Sequence, residues 1–89
     1  MERIVIDCGS ITAKGEFHAA LSNALHFPTW YGGNLDALHD LLTAITNDTV
    51  LQLQGWGDAK AAMETYGTRL ERVLAICALE NPHLTIEFC

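Results

Sequence analysis

Four polar side chains near the middle of the sequence have the spacing of one helix face. Asp36, His39, Asp40 and Thr43 recur at intervals of three or four residues, so on an α-helix they fall within roughly 100° of arc. Carboxylates grouped in this way beside an imidazole could bind a cationic surface, hold a metal ion or act as an acid–base pair. No Lys or Arg occurs from Asn34 to Asp48, so no cation of the segment neutralises the two carboxylates.

The opposite side of this predicted helix is apolar and is expected to pack on the rest of the protein. The apolar positions follow the helical repeat; they are Leu35, Leu38, Leu41, Leu42 and Ile45. They predict a helix over residues 35–46, with Asn34 as its N-cap. The two aspartates must then face outward, where their repulsion costs the helix a few tenths of a kcal/mol.

The loop before this helix, residues 29–34, contains two adjacent aromatic residues. An exposed aromatic side chain beside uncompensated carboxylates is typical of a binding patch. Trp30 and Tyr31 could both pack in the core instead, and we expect one of them to do so. Gly32 and Gly33 give the loop conformational freedom.

The sequence carries no catalytic or metal-binding signature. Its four histidines are scattered, its three cysteines form no CxxC pair, and Gly55-Trp56-Gly57 is too short to be a phosphate loop. We therefore expect no cofactor, no metal and no enzymatic activity. A concave pocket around Asp36 and Asp40 would indicate a small hydrolase, a convex exposed surface would indicate partner binding, and an ordinary solvated helix face remains the plainest interpretation.

Hydrophobic patterning predicts an α/β fold of order βααβααβ. The predicted strands are residues 3–7, 50–53 and 84–88, and the predicted helices are about 15–26, 35–46, 58–65 and 68–80. Tyr66-Gly67-Thr68 is expected to separate the last two helices. Helical crossovers of this length imply a three-stranded parallel sheet with helices packed on it. The residues expected to be buried are Leu35, Leu38, Leu42, Ile4, Ile6, Val50 and Ile86. The chain is expected to form a single domain over residues 1–89.

Charge and cysteine content restrict the partner and the compartment. Eleven acidic residues against five basic ones give a formal charge of -6, which disfavours direct nucleic-acid binding and favours a basic protein partner. No segment resembles a signal peptide or a membrane span. Cys8, Cys77 and Cys89 are expected to be reduced thiols, which indicates a cytoplasmic protein.

The segment from Pro28 to Asp40 resembles the signature of the barstar family. It matches the pattern Pro-x-aromatic-Tyr-Gly-x-Asn-Leu-Asp-Ala-Leu-x-Asp at every fixed position. The order of predicted strands and helices is similar to that family along the whole chain. The resemblance implies an inhibitor of a guanyl-specific ribonuclease, present as a monomer that forms a 1:1 complex with its basic target.

The resemblance also implies which residues contact the partner. They lie in the aromatic loop and on the helix, and they are Trp30, Tyr31, Gly32, Asn34, Leu35, Asp36, His39, Asp40, Thr43 and Ala44. Asp40 matches the family's dominant anionic anchor and would occupy the place of a substrate phosphate. Asp36 matches a second acidic contact, and Trp30 stands where a family tyrosine stacks on the partner's catalytic histidine.

The sequence departs from the best-known family member at three positions. His39 and Ile45 stand where that member has aromatic residues, and Ile76 stands where it has an acid; Glu80 is the nearest carboxylate, one turn later. An immunity protein or antitoxin built on the same scaffold, neutralising a different toxin, is therefore the alternative function.

Overall fold

A computed structural model describes all 89 residues and contains the predicted seven elements in the predicted order. The strands and helices alternate as β1 (Glu2–Asp7), α1 (Lys14–Leu25), α2 (Leu35–Thr43), β2 (Thr49–Gln54), α3 (Trp56–Ala62), α4 (Thr65–Glu80) and β3 (Leu84–Phe88). The strands form one parallel sheet of order β1-β2-β3. The α/β fold class and the three-stranded parallel sheet are thus confirmed.

One face of the sheet carries the core. In register, Leu51 lies between Ile4 and Ile86, and Leu53 lies between Ile6 and Phe88. The leucines of β2 are fully buried under the helices. The central strand is therefore the most deeply buried strand of the sheet, and the helices pack over it.

The other face of the sheet is open to solvent. The chain moves across the sheet in one direction, from β1 to β2 and then to β3. Because each connection is the usual right-handed crossover, all four helices lie on the same side of the sheet. The side chains that remain on the open face are mostly polar: Arg3 donates to Gln52 at 3.2 Å and pairs with Glu87 at 3.1 Å. Val5 on this face is 50% exposed.

The predicted burial holds for four of the seven positions. Leu38, Leu42, Ile6 and Val50 are buried as expected. Leu35, Ile4 and Ile86, which were also expected to be buried, are partly exposed and pack against the edge of the core. No helix combines the length and apolar character that a membrane crossing needs.

Helix α2 ends three residues earlier than the sequence predicts. It stops at Thr43 instead of residue 46. The Asn81 side chain donates to the carbonyl oxygens of Leu42 at 2.9 Å and Ile45 at 3.0 Å. This buried amide takes the place of the next intrahelical donor at Leu42, so the chain leaves the helix there.

The boundary between α3 and α4 was predicted at the wrong residues. Tyr66-Gly67-Thr68 was expected to break the helix but lies inside α4, and α3 begins at Trp56 rather than 58. The break falls at Glu64, whose φ of 57° is in the left-handed region. Gly67 serves packing instead, because a Cβ there would collide with the Lys60 backbone of α3.

This packing makes a prediction about Gly67→Ala. Alanine normally stabilises a helix by about 0.5–1 kcal/mol relative to glycine. At position 67 we expect the opposite, a loss of about 1–3 kcal/mol in the free energy of unfolding, because α3 and α4 must move apart. The measurement is chemical denaturation.

Gly57→Ala is the matched control. No atom lies within 4 Å of a Cβ at this helical position, so we expect its free energy of unfolding to stay the same or rise by up to about 1 kcal/mol. A Gly67→Ala protein as stable as Gly57→Ala would contradict the close approach of the two helices.

Candidate functional site

Helix α2 is fixed at both ends and along its apolar face. At its start, the Asn34 Oδ1 accepts a hydrogen bond from the Ala37 N–H at 2.8 Å, which confirms the predicted N-cap. Leu38 and Leu42 are fully buried. The amide of Asn81, the residue that follows α4, donates to the Leu42 carbonyl oxygen and holds the far end. The rotation of the helix about its own axis is therefore set by packing.

Both aspartates of α2 are exposed on the outer side of this helix, as predicted. The Asp40 side chain is 84% exposed, and its Oδ1 lies 3.7 Å from Nδ1 of His39. Neither Asp36 nor Asp40 forms an ion pair with a Lys or Arg. The structure thus presents two carboxylates without a cationic side-chain partner, one helical turn apart.

His39 links this face to α4. Its Nε2 contacts the Glu80 carboxylate, and its Nδ1 faces Asp40. The hydrogen bond to Glu80 raises the pKa of His39, with smaller contributions from the charges of Glu80 and Asp40, against an opposing effect of desolvation. The pair lies 41 residues apart, so the sequence offered no signal for it beyond the presence of a carboxylate at position 80.

At the C-terminal end of the exposed α2 face, one polar side chain hydrogen-bonds within the helix. Thr43 is half-buried, and its hydroxyl donates to the His39 carbonyl oxygen at 2.7 Å. Ala44, the C-cap residue, is exposed. Of these two predicted contact positions, Ala44 is freely accessible and Thr43 presents only part of its side chain.

The loop before α2 separates its two aromatic residues. Trp30 is 72% exposed, whereas Tyr31 is half-buried and packs its ring on Phe27 at 4.9 Å between centroids. One aromatic side chain therefore packs inward and one faces solvent, as the sequence led us to expect. Gly32 is exposed, and Gly33 has a φ of +65° that favours glycine.

A buried histidine that the sequence did not indicate lies beneath this loop. His18 of α1 contacts the Tyr31 hydroxyl through Nδ1 and the Tyr66 hydroxyl through Nε2. Burial lowers the pKa of His18, and the charge of Lys14 lowers it further. Burial also raises the pKa of Tyr31 to about 12. The three rings form a neutral polar cluster inside the fold.

The surface around the aspartates is shallow. Asp36 borders a depression that it shares with Lys14, Tyr66 and Arg69, whereas Asp40 lies outside it. The two carboxylates do not line a common pocket, and no group of three or more His, Cys, Asp or Glu side chains is placed to hold a metal ion. Asp40 thus lies on open surface, and Asp36 lies at the border of the depression.

Two exposed apolar side chains extend the surface onto α4. Ile76 is 41% exposed and Leu79 is 86% exposed. Ile76 lies four residues before Glu80 and so shares its helix face, next to the side chain that His39 contacts. Leu79 lies three residues after Ile76 and extends the apolar surface on the other side of it. The polar face of α2 thus borders an apolar strip on α4.

A protein-family model matches the chain over nearly its whole length. The family is described as Barstar (barnase inhibitor), and the match covers residues 1–88. The matched span includes the whole sheet, the aromatic loop and the exposed face of α2.

The His39–Glu80 contact predicts a pH-dependent effect of Glu80→Gln. The substitution removes the charge that favours protonated His39, so we expect the pKa of His39, measured by NMR titration, to fall toward its ordinary value of 6.5. A raised histidine pKa stabilises the fold fully below the ordinary value and no longer does so once pH rises through the raised one. The stability difference between wild type and variant should therefore shrink as the pH is raised through that range.

Glu87→Gln removes the same charge from the open face of the sheet and serves as the control. We expect the pKa of His39 to be the same in this variant as in wild type. A His39 that titrates identically in wild type and Glu80→Gln would show that the two helices are not coupled in this way.

Proposed function

The chain belongs to the barstar family, and we propose on that basis that it inhibits a basic ribonuclease of the barnase type. The exposed face of α2 and the loop before it would cover the active-site groove of the ribonuclease. The protein would act by binding alone, with no catalytic residue of its own.

The exposed carboxylate of Asp40, which forms no ion pair with a Lys or Arg, is the observation that carries this proposal. A ribonuclease must bind the phosphodiester of its substrate, and its groove therefore presents cationic side chains. A carboxylate fixed on a rigid helix can occupy the place of that phosphate and accept charge-assisted hydrogen bonds from those cations. Asp36, one turn earlier, would supply a second acidic contact.

The loop would supply the apolar part of the interface. Trp30 is large, rigid and 72% exposed, which are the properties of side chains that dominate binding energy in protein complexes. Gly32, Asn34 and Ala44 are also exposed, and the accessible parts of half-buried side chains come from Tyr31, Leu35, His39 and Thr43. Together with the two aspartates, these residues form the proposed contact surface.

The overall charge favours the encounter with such a partner. A formal charge of -6 attracts a basic protein and speeds association at low ionic strength. We propose that residues 1–89 act as one domain in a 1:1 complex. We also propose that the protein acts in the cytoplasm, where Cys8, Cys77 and Cys89, all unpaired, stay reduced.

A second candidate function has one observation in its favour. Ile76 and Leu79 offer an apolar strip beside His39 and Glu80, and a strongly cationic phosphate-binding groove would not complement that strip. An immunity protein or antitoxin on this scaffold, directed at a different toxin, would use it as a contact. A folded protein that leaves barnase-type ribonuclease fully active at stoichiometric concentration would favour this candidate.

The test of the first candidate is Asp40→Ala. Because the side chain is exposed, we expect the free energy of unfolding to be unchanged or slightly higher. We expect affinity for barnase to fall by about 2–5 kcal/mol, mostly through faster dissociation, because the cations facing Asp40 lose their partner. This magnitude comes from interfacial charge pairs in general, barnase–barstar among them, and not from this structure.

Glu87→Ala is the charge-matched control. It removes one negative charge from the open face of the sheet, so it lowers the overall attraction by the same amount without touching α2. We expect its affinity to be close to that of wild type. Equal losses in the two variants would mean that only net charge matters, and wild-type inhibition by Asp40→Ala would contradict the proposed contact.

A further inference from the structure

His18 is a buried imidazole that joins three parts of the fold. It is only 4% exposed. Its Nδ1 contacts the hydroxyl of Tyr31, in the loop before α2, and its Nε2 lies 2.6 Å from the hydroxyl of Tyr66, on α4. One ring on α1 thus ties the aromatic loop to a helix that lies 48 residues further along the chain.

The hydrogen-bonding capacity of this ring is fully used. A neutral imidazole has one N–H donor and one acceptor nitrogen. Whichever nitrogen carries the proton, one hydroxyl accepts a hydrogen bond and the other donates one. Loss of either hydroxyl would leave a buried ring nitrogen without a partner, which is unfavourable. Tyr66 therefore helps to fix the orientation in which the ring meets Tyr31.

The loop is supported at two further points around His18. The Tyr31 N–H donates to the Pro28 carbonyl oxygen at 3.0 Å, which closes a turn that contains Trp30. Gly33 lies beside the base of the His18 side chain, since a Cβ at this residue would be 3.8 Å from Cβ and 3.9 Å from Cγ of His18. The loop is therefore held at the Pro28–Tyr31 turn and lies close to His18 at Gly33.

We propose that His18 is a positioning residue for the partner-binding loop, and that Tyr66 orients it for this role. By holding Tyr31 inward, the imidazole fixes the turn that places Trp30 outward beside the carboxylate face of α2. The proposal rests on the proposed function, because a fixed loop matters for binding only if the loop contacts the partner.

Tyr66→Phe is the variant that isolates this effect. It removes the one hydroxyl that the His18 Nε2 contacts and keeps the aromatic ring, over which the Lys14 ammonium lies at 5.3 Å. Substituting His18 itself would leave a cavity and endanger folding. The control is Thr49→Val, which also removes one hydroxyl from a buried residue. The Thr49 hydroxyl donates to the Asn47 carbonyl oxygen at 2.9 Å and makes no contact with the aromatic loop.

The first readout uses the free protein. Native-state hydrogen exchange at the Tyr31 amide reports the closed turn, and the Leu38 amide within α2 reports the helix. We expect the Tyr31 amide to exchange about tenfold faster, relative to Leu38, in Tyr66→Phe than in wild type. In Thr49→Val we expect this ratio to be that of wild type, whatever the loss of global stability.

The second readout is the dissociation constant for barnase, measured at a temperature at which every variant is folded. We expect about a tenfold weaker complex for Tyr66→Phe and a change below about twofold for Thr49→Val. A structural role alone would change the stability of both variants and the affinity of neither.

The two readouts keep the two proposals distinguishable. An unchanged exchange ratio in Tyr66→Phe overturns the positioning role, whatever the affinities are. A changed exchange ratio with an unchanged dissociation constant would show that His18 holds the loop without affecting binding, and this result would also overturn the proposal. Failure of the wild-type protein to bind barnase would count against the proposed function, while the exchange ratio would still decide whether His18 holds the loop.

Discussion

The apolar face of α2 is the contact on which the proposed site depends. Leu38 and Leu42 are fully buried, and each contributes about 1.5–3 kcal/mol relative to an exposed side chain. Asn34 and Asn81 hold the two ends of the same helix. Because side chains follow one another at about 100°, a helix fixed in this way has no freedom in what it presents to solvent. The outward position of Asp36 and Asp40 is a consequence of where the leucines lie.

This arrangement separates folding from binding. The aspartates contribute little to stability, and their mutual repulsion costs only a few tenths of a kcal/mol, which the buried face of the helix easily offsets. Their energetic value would appear in a complex, where each carboxylate would be desolvated among cations. His39 contacts Glu80 on the α4 side and lies 3.7 Å from Asp40, whose side chain is still 84% exposed.

Local periodicity made much of the fold predictable, and non-local packing accounts for what was missed. The N-cap at Asn34, the exposure of Asp40 and the parallel sheet follow from patterns of a few residues. Gly67 was misinterpreted because a glycine needed for close helix packing looks the same in sequence as a helix breaker. The true break at Glu64 has no sequence signal, since glutamate rarely adopts a positive φ.

The contacts of the two histidines could not be predicted from the sequence for the same reason. His18 with Tyr66 and His39 with Glu80 join residues 48 and 41 positions apart, and only the packed helices bring them together.

The most direct test of the account is an NMR titration of the isotope-labelled protein with unlabelled barnase. We expect the amide signals of Trp30 to Ala44 to shift or broaden on binding, while those of Arg3, Val5, Gln52 and Glu87 on the open sheet face stay in place. Changes centred on the open face, with α2 unaffected, would contradict the proposed binding surface.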